Sequence, residues 1–180
     1  LFSSRIPLHL NNVGCASGKQ FQTSLIVFLS AFTIFAIMNR TINEIQDEII
    51  DEFSGFTDWM DKYAYIIEMG NALPSLDAKH KTPDNLIEGC QSRVWLNAVY
   101  EDGKIRFEAD SDAIIVKGII SLLIRVLSGQ TPADILAADL YFIDRIGLSE
   151  HLSPTRSNGL VAMVKQIKMY ALAYKAKENS

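Results

Sequence analysis

The chain has 180 residues, 48% apolar and 21% charged, with a mean hydropathy of +0.11 and a net charge of −4. This composition argues against a disordered chain and a polytopic membrane protein, and it lacks the basic excess that neutralises a nucleic-acid backbone. Its two cysteines, Cys15 and Cys90, are too few for a disulfide framework or a four-cysteine zinc site.

The first 43 residues contain no acid, and Gln20 to Asn39 carry no charge. Leu25 to Met38 form an apolar run of 14 residues, shorter than the ~20 that a spanning helix needs. Three readings of 1–37 stand side by side: an upstream extension read from a misassigned start, a targeting leader, or a membrane- or partner-binding tail. The expectation is that 1–37 lies outside the fold and that 38–180 forms one domain. On the first two readings Cys15 takes no part in the chemistry.

Thr41-Ile42-Asn43-Glu44 is a capping box, and Ile42, Ile45, Ile49, Ile50 and Phe53 recur at helical spacing up to Gly55. Thr57-Asp58 opens a second helix, Trp59 to about Ala72, which ends at Leu73-Pro74. Residues 74–85 are polar and turn-rich. Arg93 to Tyr100 and Lys104 to Glu108 read as strands joined through Glu101-Asp102-Gly103. Asp110-Ser111-Asp112 precede an apolar helix, Ala113 to Leu127, where acids complement the helix dipole. Apolar residues almost encircle that helix, which marks it as the centre of the core. Thr131-Pro132 opens a short helix, and Tyr141 to Ile146 forms another, stopped by Gly147. A polar loop, Ser149 to Ser157, then leads into a long final helix to about Lys177. The pattern predicts an α+β domain: a small antiparallel sheet packed against several helices.

Cys90 follows a glycine and stands just before the first strand. A glycine beside a thiol permits close approach by another molecule, and Arg93 is near enough in sequence to favour a thiolate. The competing reading is a buried structural thiol.

Glu88-Gly89-Cys90-Gln91-Ser92-Arg93-Val94-Trp95 closely resembles the signature of the SufE family of cysteine desulfuration proteins. Lys62 to Gly70, Asp110 to Gly118 and His151 to Leu160 resemble three further blocks of that family, in order. The resemblance runs from about Ile42 to the C-terminus and does not separate SufE from its paralogue CsdE. It implies a SufE/IscU-like fold and a cytoplasmic sulfur carrier of iron–sulfur cluster assembly that is not itself an enzyme. A PLP-dependent cysteine desulfurase (SufS/CsdA-like) forms a persulfide; Cys90 takes its terminal sulfur and passes it to a SufBCD-like scaffold complex. The resemblance also implies no cofactor of the chain's own, since the PLP belongs to the desulfurase. It implies no nucleic-acid or membrane partner, and a homodimer remains open.

A lone thiol suits this role, because a second nearby cysteine would resolve the persulfide to a disulfide, and one cysteine cannot hold a cluster. Supporting roles are weighed for five residues. Arg156 matches the family's arginine and either stabilises the thiolate or makes salt bridges at the last helix. Asp112 either bears on movement of the cysteine loop or serves the helix dipole. Gln91 either lines the loop or is a solvated amide. Glu88 moves a proton or is an exposed loop acid. His151 either forms a Cys–His dyad with Cys90, as in a stand-alone hydrolase or sulfurtransferase, or caps a polar loop. His80 has no second metal ligand at zinc-like spacing. Trp59, Trp95 and the apolar helix Ala113 to Leu127 read as core, and some of them could also form a dry niche for the Cys90 side chain. Lys165, Lys168, Lys175 and Lys177 give the last helix a solvated or partner-docking face.

Overall fold

The computed structural model of the chain describes residues 40–178; the expectations for 1–37, Cys15 included, lie outside the described residues. Helix α1 (Ile42–Ser54) starts where the capping box places it. The Thr41 hydroxyl accepts from the Glu44 backbone N–H, and the Glu44 carboxylate accepts from the Thr41 N–H at 2.7 Å. Helix α2 (Trp59–Ala72) is capped by Asp58, whose side chain accepts from the Met60 N–H at 3.0 Å. Pro74 cannot continue it. Two single 3-10 turns, Ala78–His80 and Pro83–Asn85, carry the chain to strands β1 (Val94–Glu101) and β2 (Lys104–Ser111). Asp102 and Gly103, both at positive φ (52° and 76°), make the two-residue turn whose twist suits a tight hairpin.

β2 runs three residues further than predicted, through Asp110 and Ser111, because Val94 pairs with Ser111. Asp110 therefore does not serve the dipole of the next helix. Its buried carboxylate takes Lys81 at 2.7 Å and Lys117 at 3.0 Å. The next helix, α3 (Ile114–Leu127), has Ala113 at its N-cap, with no side-chain cap.

α3 is the centre of the core, as its sequence predicts: Ile119, Ile120, Leu122, Leu123, Val126 and Leu127 are almost wholly buried. It packs on β2 and on α2, which it crosses at Gly118 and Gly70. Short helices α4 (Pro132–Ala137), α5 (Phe142–Arg145) and α6 (Leu148–His151) follow, then the long α7 (Pro154–Glu178). The segment predicted as a polar loop thus contains α6, and Ser153-Pro154 start α7 early enough to put Thr155 and Arg156 in its first turn. This is the arrangement expected of a polar residue followed by proline at a helix start.

A two-stranded sheet leaves two edges, and both are covered. On β2, Ile105 exchanges hydrogen bonds with Gln130 and Gly129, and the Phe107 N–H donates to Ser128 Oγ. On β1, the Ile87 N–H donates to the Val94 carbonyl, while Tyr170 and Tyr174, one turn apart on α7, donate to the Leu96 and Ala98 carbonyls at 3.2 and 2.9 Å. Covered edges remove the template for strand-to-strand aggregation. They also fix α7 against β1, which positions the cysteine turn between them.

Candidate functional site

The turn that carries Cys90 is closed at its base. Leu86 bridges to Trp95, the Ile87 N–H donates to Val94 O at 2.8 Å, and Ile87 is buried. Between Ile87 and Arg93 the chain makes a short turn in which Gly89 adopts φ +88°, a conformation that side-chain-bearing residues rarely take. The reversal lays Cys90 against α7. Its Sγ lies 3.7 Å from the Gly159 carbonyl oxygen, to which the thiol donates. Gly159 is the close neighbour that makes this possible, since a Cβ there would sit 3.6 Å from the sulfur.

Cys90 lines a cavity of about 330 Å³. Ala113, Ile115, Val116 and Ile119 of the α3 region form one wall; Thr155, Arg156, Gly159 and Met163 of α7 form the other, with Gln91, Ser92 and Ser153 at the rim. The thiol is half-buried, and burial raises its pKa above the ordinary 9.0. In this position burial disfavours the thiolate, which is the form that acts as a nucleophile.

Of the six residues singled out from sequence, the structure brings three to one cavity: Cys90, Gln91 and Arg156. The other three lie elsewhere. Glu88 is exposed and lines no part of the cavity. The His151 ring stacks on Trp59 with centroids 3.8 Å apart, and its Nδ1 is 2.9 Å from Gly147 O. It does not line the Cys90 cavity, so it is not arranged as the base of a Cys–His dyad. Asp112 accepts from both the Arg93 backbone N–H (3.0 Å) and Arg93 Nε (2.9 Å), and that pairing lowers its pKa. It stands just before the N-cap of α3, lines no part of the cavity, and ties down the distal end of the cysteine turn.

The same pair corrects the expectation for Arg93. Its guanidinium is committed to Asp112 and lies 5.5 Å from the Trp95 ring, so it does not activate the thiol. Neither tryptophan shelters Cys90. Trp59 is half-buried against His151 and Tyr63, and Trp95 lies between Lys81 and Arg93. Of the three candidates for the niche, the central helix α3 supplies one wall, and α7 supplies the other. Sequence reading missed Gly159 and Met163. A glycine inside the helical pattern of α7 was the available signal, because such a glycine marks a close approach.

No group of three or more His, Cys, Asp or Glu able to hold a metal occurs among the described residues. Nor is any described helix long and apolar enough to cross a membrane.

Comparison with known proteins agrees with the motif blocks. The family model described as SufE, Fe-S metabolism associated domain, matches residues 47–171. An uncharacterised SufE-like protein of Rhizobium etli is 45% identical over 127 residues, covering 68% of this chain and 86% of that protein. A second, from Rhizobium meliloti, is 40% identical over 130 residues, covering 69% of this chain and 93% of that one. The solution structure of a hypothetical protein from Thermus thermophilus superposes with a TM-score of 0.61 at 21% identity, over 72% of this chain and 94% of the other, and supports the fold. The match over most of the folded chain, with two relatives at this level of identity, establishes that the chain belongs to the SufE family of iron–sulfur metabolism.

Proposed function

We propose that the chain is a sulfur carrier whose Cys90 accepts the terminal sulfur of a persulfide on a cysteine desulfurase and delivers it to an iron–sulfur scaffold complex. The observation that supports this reading is the placement of the Cys90 thiol on a short turn beside a cavity of about 330 Å³, with an aliphatic wall from α3 and a mixed wall from α7 that includes Arg156. A thiol built for hydrolysis would face a base and oxyanion donors. This one faces a backbone carbonyl in a cavity whose lining holds no histidine or carboxylate, and the aliphatic wall of α3 suits sheltering of a reactive sulfur.

The transfer balances without any outside oxidant. The Cys90 thiol loses its proton as the turn leaves the Gly159 carbonyl. The Cys90 thiolate attacks the outer sulfur of the desulfurase persulfide, a sulfur–sulfur bond forms on Cys90, and the desulfurase sulfur–sulfur bond breaks. The leaving thiolate keeps the electron pair and takes up a proton. Cys90 now bears the persulfide, and the returning turn shelters it between α3 and α7. Arg156 lines this cavity, and its cation would favour a persulfide anion there.

Intact mass spectrometry tests the proposal, using the full chain with Cys15→Ser so that Cys90 is the remaining thiol. Incubation with a cysteine desulfurase, PLP and cysteine is expected to add one sulfur atom, mapped to Cys90. Omission of the desulfurase, or Cys90→Ser, is expected to abolish the gain. No gain with a desulfurase that is active and binds the chain overturns the proposal. Partner-free turnover of a thioester that needs both Cys90 and His151 would assign a thiol enzyme instead.

A further inference from the structure

Among the described residues, three glycines stand inside helices: Gly70 in α2, Gly118 in α3 and Gly159 in α7. Alanine is the better helix former at any such position, so each glycine needs a reason. Gly70 and Gly118 have theirs in the helix crossing, where a Cβ would fall 2.6 Å from the Gly118 nitrogen or 2.3 Å from the Ile66 carbonyl oxygen. Gly159 has no reason of that kind. Its backbone is helical, and outside its own helix a Cβ there would have one neighbour within 4 Å, Cys90 Sγ at 3.6 Å. That is ordinary van der Waals contact. The bare thiol therefore leaves room for a methyl group, and the chain keeps that room empty. The space belongs to the cavity beside Cys90, where Gly159 lies between Arg156 and Met163 on the α7 wall.

We propose that Gly159 makes room for the outer sulfur of a Cys90 persulfide and so sets how firmly the chain holds its cargo; the inference rests on the carrier reading above. A persulfide places its second sulfur about 2 Å beyond Sγ. With a methyl group at 159, a sulfur on that side would stand closer to carbon than the ~3.5 Å of ordinary contact. With glycine, the outer sulfur can rest against the α7 backbone. Arg156, three residues earlier on α7, lines the same cavity and balances the charge of a persulfide anion there. Alanine at 159 would suit the unloaded chain at least as well as glycine does. Glycine is the residue that serves the loaded one.

The test uses the full chain with Cys15→Ser, with and without Gly159→Ala. Each is loaded by a cysteine desulfurase, PLP and cysteine, then freed of them. Intact mass spectrometry follows loss of the outer sulfur to excess dithiothreitol. Gly159→Ala is expected to lose it about fivefold faster or more, as overpacking one contact of the sheltered, loaded turn should give. Unloaded, the variant is expected to unfold in urea at or above the parent's midpoint, which separates lost room from a damaged fold. Equal rates of sulfur loss from parent and variant overturn the inference and leave the carrier reading standing. An unloaded variant that unfolds well below the parent overturns it too, since the methyl group would then meet more than the cargo. A parent that takes up no sulfur overturns the carrier reading, and this inference falls with it.

Discussion

Gly118→Ala probes the crossing on which one wall of the Cys90 cavity depends. A Cβ at 118 would lie 2.3 Å from the Ile66 carbonyl oxygen, 2.6 Å from Ile66 Cγ2 and 2.8 Å from the Ile66 carbonyl carbon. Two of these three atoms are backbone, so no side-chain rotation relieves the overlap; α2 and α3 must separate. Reciprocally, a Cβ at Gly70 would lie 2.6 Å from the Gly118 nitrogen. Overpacking a core contact costs about 1–3 kcal/mol, and a backbone clash belongs at the upper end. Alanine returns about 1 kcal/mol through helix propensity. The expected net loss is about 2 kcal/mol, or roughly 4–8 °C in Tm for a chain of this size. Gly55→Ala is the control. Gly55 also has right-handed backbone (φ −71°), but a Cβ there meets only the Glu52 carbonyl at 3.5 Å, an ordinary contact. Urea unfolding followed by circular dichroism should place Gly118→Ala well below the parent and Gly55→Ala within about 0.5 kcal/mol of it. A Gly118→Ala midpoint equal to the parent's would refute the argument that backbone contact, and not side-chain packing, sets the α2–α3 distance.

Four further outcomes are expected. Gln46→Leu should cost about 2–4 kcal/mol in urea unfolding, because the buried Gln46 amide donates to Asp139 O at 3.0 Å and accepts from the Phe142 N–H at 3.3 Å, leaving both backbone groups orphaned. Asp110→Asn should cost about 2 kcal/mol near neutral pH, less than the roughly 3–5 typical of a fully buried pair, because Lys81 can reach water. Burial alone would raise the Asp110 pKa, but hydrogen bonds from Lys81 and Lys117 outweigh it and hold the pKa below 3.8. Its stabilisation is therefore complete above about 3.8 and lost as pH falls through the folded-state value, so unfolding curves of parent and variant should converge in that acid range. With Cys15→Ser, iodoacetamide should alkylate Cys90 more slowly in native protein at pH ~8 than in urea, since burial raises the thiol pKa; equal rates would mean that the turn is open at rest. His151→Ala should leave sulfur uptake on Cys90 unchanged, and a loss of about tenfold by mass spectrometry would restore the dyad reading.

The elements that sequence made legible are those set by neighbours in the chain. Thr41 and Glu44 cap α1 because their contacts span one helical turn. Asp102 and Gly103 make the hairpin because both must take positive φ. The apolar girdle of α3 declares its burial without reference to any partner. The errors fell where distant partners decided. Asp110 reads as a helix-start acid until Lys81 and Lys117 close on it, and Arg93 reads as a thiolate partner until Asp112 takes its guanidinium.

The sequence by itself determined an α+β domain, its membership of a family with one characteristic cysteine block, and the identity of Cys90 as the thiol of interest. The first rests on periodicity and turn chemistry, which are local; the other two rest on the resemblance of four sequence blocks to those of the family. Only the tertiary structure decided what surrounds that thiol. Gly159, its hydrogen-bond acceptor, lies 69 residues away along the chain, and the cavity walls come from α3 and α7, which meet only when the core assembles. Desolvation, which sets the proton on Cys90, is a property of that assembled surrounding, so no reading of neighbouring residues could supply it.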